Sequence, residues 1–453
     1  MLARPGVFAL GACALMLWQT CGNAAPSTKE IESYFAPFAA TNNLSGSVLV
    51  TQGGKVLFSK SYGFADSARK IPNRANTRFH IASMSILFTS TAVLRLIDQG
   101  KLSFDTHVSD LVPDIPNGDK ITIRNLLEQN SGLPDAEEDL PNSDDFVKSH
   151  QTAESLVALI KGMPPHSPPG GESQREEHSG QNLLALIIEE KTGLPFAKAM
   201  KVLVFDPFGL HDSGIDDDSP ISGPVAKGYQ IDGTFGLKPA AAFHWSAKTG
   251  NGSIYSTTGD VSKWLQEVRH GNLLSERSRN AMFGTNDGYG WWTVVSKKIN
   301  ERVYGVGGRT TGVSSFMEYV PSSDTTVMIL SNMEHDANPV ILPEVPPLLL
   351  GKPYQAFDYK PVPPAVVGHP SGSFVFGKDF VRPGATLSLV SDANGVTLIW
   401  PQRKAPLLPI AKDKFMDRYY WTVATIVRGK DGNPIAMDYG KIRGTVKAPP
   451  APH

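Results

Sequence analysis

Cysteine is almost missing from this chain: two residues in 453, Cys13 and Cys21, both ahead of the small residues Gly22, Asn23, Ala24 and Ala25. A chain cut after Ala24 or Ala25 would keep no thiol, which excludes a disulfide framework and any thiolate metal site. Excess charge of either sign is also missing. Lys+Arg 43 against Asp+Glu 44 leaves a net charge of −1, so neither a polybasic nucleic-acid surface nor a charge-extended disordered tail is indicated. The N-terminal apolar run, Val7 to Trp18, falls short of the roughly 20 residues that a membrane span needs. There is no Gly-x-Ser-x-Gly elbow, no His-Glu-x-x-His, no Walker loop and no Cys-x-x-Cys, so the corresponding hydrolase, metal and nucleotide chemistries have no support.

What is present begins with an export pattern: Arg4, the apolar run, then small residues near a plausible cut, so residues 1–25 are expected to be a signal peptide and the mature protein periplasmic or secreted. Leu10-Gly11-Ala12-Cys13 resembles a lipoprotein box, but the apolar run continues past Cys13 and argues against a lipid anchor. Ser27-x-x-Glu30 followed by Ile31, Tyr34, Phe35 and Phe38 is a capping box opening an amphipathic helix. Gly46 to Gly63 alternates around Gln52-Gly53-Gly54-Lys55 as a hairpin. After Phe79-His80-Ile81-Ala82-Ser83 an apolar-periodic run from Ile86 to Ile97 predicts a long buried helix ending at Gly100. A helical stretch with Pro- and Gly-rich loops follows, its clearest helix from Leu183 to Lys191. Strand patterns return at Tyr289–Val295, Phe316–Val320 and Thr325–Leu330.

Strands at both ends of a helical middle give an α+β expectation for residues 26–351: an antiparallel sheet flanked by helices, with a helical subdomain. The Pro-rich stretch 352–370 reads as a stiff linker. Residues 371–446, with hairpin signals at Asn394-Gly395 and Asp431-Gly432, read as a small all-β module, and 447–453 as a tail. Asp216-Asp217-Asp218 lacks calcium-loop spacing and reads as an exposed turn. No metal or cofactor is expected. Trp291 and Trp292 fit core positions better than the floor of a cleft.

The run Phe79 to Asp114, together with Ser131-Gly132-Leu133-Pro134, Pro207-Phe208-Gly209-Leu210, Gly252-Ser253-Ile254-Tyr255 and Val306 to Phe316, resembles the serine β-lactamase, penicillin-binding protein and esterase superfamily, in its class C β-lactamase-like branch. Asp413 to Trp421 is similar to the β module often appended to such proteins. The resemblance implies three motifs meeting in one cleft. In Ser-x-x-Lys, Ser83 takes the nucleophile position but Ile86 stands where Lys is needed; the literal Ser67–Lys70 match lies in a polar loop. In Tyr-x-Asn, an ungapped register places Glu176 and His178, and a two-residue shift places His178 and Gly180. In Lys-Thr-Gly or His-x-Gly, the chain reads Val306-Gly307-Gly308, while Lys191-Thr192-Gly193 and Lys248-Thr249-Gly250 lie off the cleft strand. Four of the five catalytic side chains are gone. The backbone N–H groups of Ser83 and, by the same resemblance, Arg309 remain as an oxyanion hole.

Two readings follow. One is an exported pseudo-enzyme whose cleft binds a peptide, a cell-wall fragment or another partner. The other is a serine hydrolase in which Ser83 is served by Glu176 or His178, since an imidazole is a competent base near neutral pH. The sequence sets neither the ligand nor the oligomeric state.

Overall fold

Along Gly46–Gln52 the side chains alternate between two separate cores: Val48 and Val50 join one, Leu49 the other. The same period-two partition recurs at Phe316 against Met317 and at Val327 and Ile329 against Met328 and Leu330. A strand that feeds a core on each face is covered along its whole length, and Val313–Val320 and Thr325–Ser331 are buried at every position, the polar Ser314, Ser315 and Glu318 included. The computed structural model describes residues 27–139, 146–171, 178–221, 223–284, 288–357, 360–363, 370–392, 395–401 and 403–447. The expected signal peptide lies outside them.

The sheet is built from β1 (Gly46–Gln52), β2 (Lys55–Tyr62), β3 (Trp292–Ser296), β4 (Glu301–Thr310), β5 (Val313–Val320) and β6 (Thr325–Ser331). Its order is β3-β4-β5-β6-β1-β2, antiparallel throughout. Gly53 and Gly54 turn the first hairpin with φ of 56° and 72°, a conformation that glycine adopts without a Cβ penalty. β3 starts later than the aromatic pattern suggests, because Tyr289 and Gly290 take positive φ and turn the chain before pairing begins.

Helix α1 (Thr28–Ala40) opens on the expected capping box and buries Ile31, Phe35 and Phe38 on one face of the sheet. The other face carries α2 (Ile86–Asp98), α3 (His178–Thr192) and α4 (Thr258–His270), packed through Leu87, Phe88, Leu184, Ile187 and Trp264. Trp264 Nε1 donates to Thr91 Oγ1 at 3.1 Å, so the largest core side chain is satisfied.

Residues after the main sheet close an eight-stranded barrel, β7 (Gly372–Phe376), β8 (Thr386–Asp392), β9 (Gly395–Trp400), β10 (Arg403–Ala411), β11 (Lys414–Asp417), β12 (Thr422–Arg428), β13 (Pro434–Tyr439) and β14 (Ile442–Val446). The architecture is α+β with an all-β module after it. A linker alone suggests a loose tether, but the barrel is docked. Leu408, Met416 and Trp421 join the core beneath α1, with Trp421 and Phe38 ring centroids 4.8 Å apart. Arg418 has no exposed surface, and its guanidinium donates to Asn43 Oδ1 (2.8 Å) and to the carbonyls of Asn42 (3.0 Å), Gly233 (2.9 Å) and Gly236 (3.2 Å).

Candidate active site

The turn Ala82–Ser85 precedes α2 and holds Ser83 half-buried at the mouth of a cleft of about 740 Å³. Ala82 takes φ 47°, a left-handed conformation that costs a non-glycine residue roughly 1 kcal/mol and that persists where the surroundings dictate it. The surroundings here are tight. Ser315 Oγ donates to Ile81 O at 2.5 Å, tying the turn to β5. β4 presses in from the other side: a Cβ on Gly308 would sit 2.3 Å from Ile81 O, 2.7 Å from Ser83 N and 2.8 Å from Met84 N. Only glycine permits that approach. Gly307, Gly308 and Arg309 all line the cleft with Ser83, so backbone of β4 and of the Ser83 turn face one space.

Ile86 is 1% exposed. It packs into the base of α2 beside Gly290, whose Cβ position lies 3.2 Å from Ile86 Cγ2, and it offers Ser83 no proton acceptor. Val306 is likewise buried within the core. Among the described residues none makes a hydrogen bond with Ser83 Oγ. Glu176 lies outside the described residues. His178 opens α3 and lines the same cleft, its Nδ1 2.8 Å from Asp135 Oδ2 and 3.8 Å from Glu137 Oε2. Burial by itself raises the Asp135 pKa, but hydrogen bonds from His178 and from the Glu137 N–H outweigh it and hold the carboxyl below its usual range.

Sequence reasoning passed over a second set of groups. Lys248 ends a short turn, Trp245–Lys248, and although it is off the cleft strand it lines the cleft, ion-paired to Glu137. Asn251 Nδ2 donates to the other Glu137 oxygen at 3.0 Å. Read as a decoy tripeptide, Lys248 had one positional clue: it stands just ahead of Gly252-Ser253-Ile254-Tyr255, a segment that the resemblance had already placed. Ser67 and Lys70 are exposed and do not line the cleft. Trp291 is both core and cleft wall, and Trp292 also lines the cleft. Of the acidic triplet, Asp218 is exposed in a bend as expected, but the first residue is not. Asp216 is 9% exposed and pairs with His80 Nε2 at 2.7 Å, because a short strand carries it into the fold.

The barrel reaches the same wall. Tyr419 accepts a hydrogen bond from Arg309 at its hydroxyl, and its carbonyl accepts from Asp336 N at 2.8 Å. Arg403 stacks on the Tyr419 ring at 3.6 Å. The Arg309 guanidinium, 3.9 Å from Asp336, is disfavoured by burial but favoured more by Tyr419 and Asp336, so its pKa is raised. Burial pushes the Tyr419 phenol up to about 12, and it stays protonated.

A model of the Beta-lactamase family matches residues 31–343. PbpX of Bacillus subtilis (strain 168), which carries a penicillin-binding-protein name, is 28% identical over 295 residues, 65% of this chain and 72% of that protein. The crystal structure of a penicillin-binding protein from Bacillus halodurans is similar at 28% identity with TM-score 0.57, covering 66% of this chain and 94% of that one. An octameric penicillin-binding protein homologue from Pyrococcus abyssi shares the fold over 93% of this chain and all of its own, at 21% identity and TM-score 0.65.

Proposed function

The chain belongs to the β-lactamase family, and from that membership we propose that it is an exported protein whose cleft binds a peptide-like or cell-wall-like ligand without ordinary acyl turnover. The observation that carries this reading is the replacement of the general base by Ile86, buried against Gly290, beside a Ser83 hydroxyl that no described residue engages. Loss of a general base costs roughly 10²–10⁴ in rate, and loss of the unit that activates a nucleophile on the order of 10⁶. The cleft is nevertheless retained. Its close strand approach needs Gly308, its strained turn needs its neighbours, and Lys248 and Arg309 place two cations on its walls. Each faces a carboxylate, Glu137 and Asp336, so the wall carries both signs and suits a ligand with both, such as a peptide with its amine and carboxylate. No helix among the described residues is long and apolar enough to cross a membrane.

One observation favours a second reading, a serine hydrolase. His178 faces the same cleft as Ser83 and is oriented by Asp135 at 2.8 Å, the arrangement in which a carboxylate fixes the imidazole that serves a serine. Such a ring need not touch the hydroxyl beforehand, since catalytic hydrogen bonds tighten as substrate binds. One experiment separates the two. The mature protein is incubated with a fluorophosphonate, a β-lactam and a p-nitrophenyl ester and weighed intact, and calorimetric titration with a muropeptide measures binding. Binding without a lasting adduct is expected. A stoichiometric adduct on Ser83, lost in Ser83→Ala and slowed in His178→Ala, overturns the binding reading in favour of the hydrolase.

A further inference from the structure

Behind the cleft wall, and outside any motif of the family resemblance, three side chains from distant parts of the chain converge. His150 Nδ1 and His244 Nδ1 each lie 3.1 Å from one oxygen, Oδ2 of Asp218. All three ligand atoms lie within 4.8 Å of one another. We propose that His150, Asp218 and His244 form a binding site for a divalent cation of the zinc class.

The spacing carries the argument. A tetrahedral zinc with bonds of 2.0–2.2 Å sets neighbouring ligand atoms about 3.3 Å apart, and both His-to-Asp separations are close to that edge length. The ligand set is two imidazoles and one carboxylate, and the two borderline nitrogen donors favour zinc over calcium or magnesium. The carboxylate is already oriented: its second oxygen, Oδ1, accepts from Trp245 N at 3.1 Å, and Asp218 N donates to Asp216 Oδ1 at 3.1 Å. The histidines are anchored through their own segments, where His244 N donates to Val147 O at 2.8 Å and Gln151 N to Ser246 Oγ at 3.0 Å. With side chains 56% and 43% exposed, His150 and His244 leave room for water to complete the coordination. Without a cation, both rings can turn an Nδ1–H toward the one carboxylate oxygen; to bind one, each neutral ring presents its Nδ1 lone pair and carries its proton at Nε2, where solvent receives it.

The placement suggests a role. His244 immediately precedes the turn Trp245–Lys248, whose last residue is in the cleft. A cation at this site would clamp that turn to the segment 146–151 and to the Asp216–Asp218 loop, fixing the wall that presents Lys248.

The test uses the mature chain without an affinity tag. Titration with zinc chloride is followed by calorimetry, and titration with cobalt(II) by the visible absorption bands of a tetrahedral cobalt site. One ion per chain is expected, tighter than roughly 100 µM. His150→Ala, at an exposed position, and His244→Ala, at a half-buried one, should each weaken binding at least about tenfold, while His211→Ala, an exposed histidine elsewhere, should not. Absence of stoichiometric binding, or binding that neither variant weakens, overturns the site.

Discussion

Replacing Arg418 with alanine should undock the barrel from the main domain. The guanidinium is fully buried and makes four hydrogen bonds, all to oxygens of the main domain: Asn43 Oδ1 and the carbonyls of Asn42, Gly233 and Gly236. None of these partners is a carboxylate, so the charge is held by dipoles alone, and burial pulls its pKa down to about 10. Hydrogen bonds to a charged group contribute roughly 1.5–3 kcal/mol each, while desolvating the ion costs several kcal/mol. The net effect of truncation is therefore set by the acceptors left behind. Gly233 and Gly236 belong to a turn that water can reach, whereas Asn43 is 1% exposed and keeps its penalty. An unpaired buried acceptor costs roughly 1–3 kcal/mol and the lost packing of the Arg418 stem adds to it, so a loss of about 2–4 kcal/mol is expected. Arg418→Lys, which keeps the charge but not the planar fork, should fall between the two proteins. Urea unfolding followed by tryptophan fluorescence measures the loss, with Trp421 at the interface as reporter, and limited proteolysis within 352–370 measures undocking. Alanine should convert one transition into two and speed cleavage. A change below about 1 kcal/mol with unaltered proteolysis would refute the idea that Arg418 fastens the barrel.

Gly308→Ala places a methyl 2.3 Å from a carbonyl oxygen of the Ser83 turn, so it should cost about 1–3 kcal/mol and abolish cleft binding. Gly307→Ala, whose methyl first meets Phe316 at 3.4 Å, should be tolerated, and equal thermal shifts for the two would contradict the packing argument. Burial, with Glu344 nearby, pushes Glu318 up to about 8 from 4.5. The unfolded state thus loses its proton before the folded state does, and stability should fall as pH rises from about 4.5 to 8. Glu318→Gln should remove that slope and add up to a few kcal/mol at pH 8; parallel pH profiles would refute it. Ile86→Lys puts an unpaired ammonium where a 1%-exposed side chain now packs and should lose roughly 1–3 kcal/mol without restoring turnover. Turnover of β-lactam or ester above about 1 s⁻¹ would mean that the cleft is still organised for catalysis.

The fold was readable wherever a period was unbroken. The apolar run after Ser83 fixed α2, and the capping box at Ser27 fixed α1. β5 and β6 appeared as strand patterns of mostly apolar residues because both their faces are buried, whereas β1 read as alternating although Gly46–Thr51 are buried on both faces. Ser83, Ile86, Val306 and the two glycines were legible because their chemistry is local in sequence. Lys248, Glu137 and Asp135 were not. Each gains its meaning from a contact across the fold, and a salt bridge such as Lys248 to Glu137 leaves no periodic trace. The same holds for Asp216, whose triplet looks like a solvated turn until His80 arrives from another strand. The pairing of Tyr419 with Arg309 was equally hidden, because hairpin signals report how the barrel folds and say nothing of where it docks.

The sheet order has a consequence for how the molecule is made. β1 is synthesised well before β6, one of its two neighbours, with Gly46 opposite Ser331. About 270 residues separate them, and at 5–20 residues per second the gap lasts roughly 15–55 s. Through that interval β1 and β2 form only a two-stranded hairpin, which is marginal in water; α1 is already made and can cover Val48 and Val50, but the edge of β1 that β6 pairs stays open. Translation across that interval therefore proceeds with the strand edge open, a period in which a holding chaperone or an export channel would find the chain still unclosed.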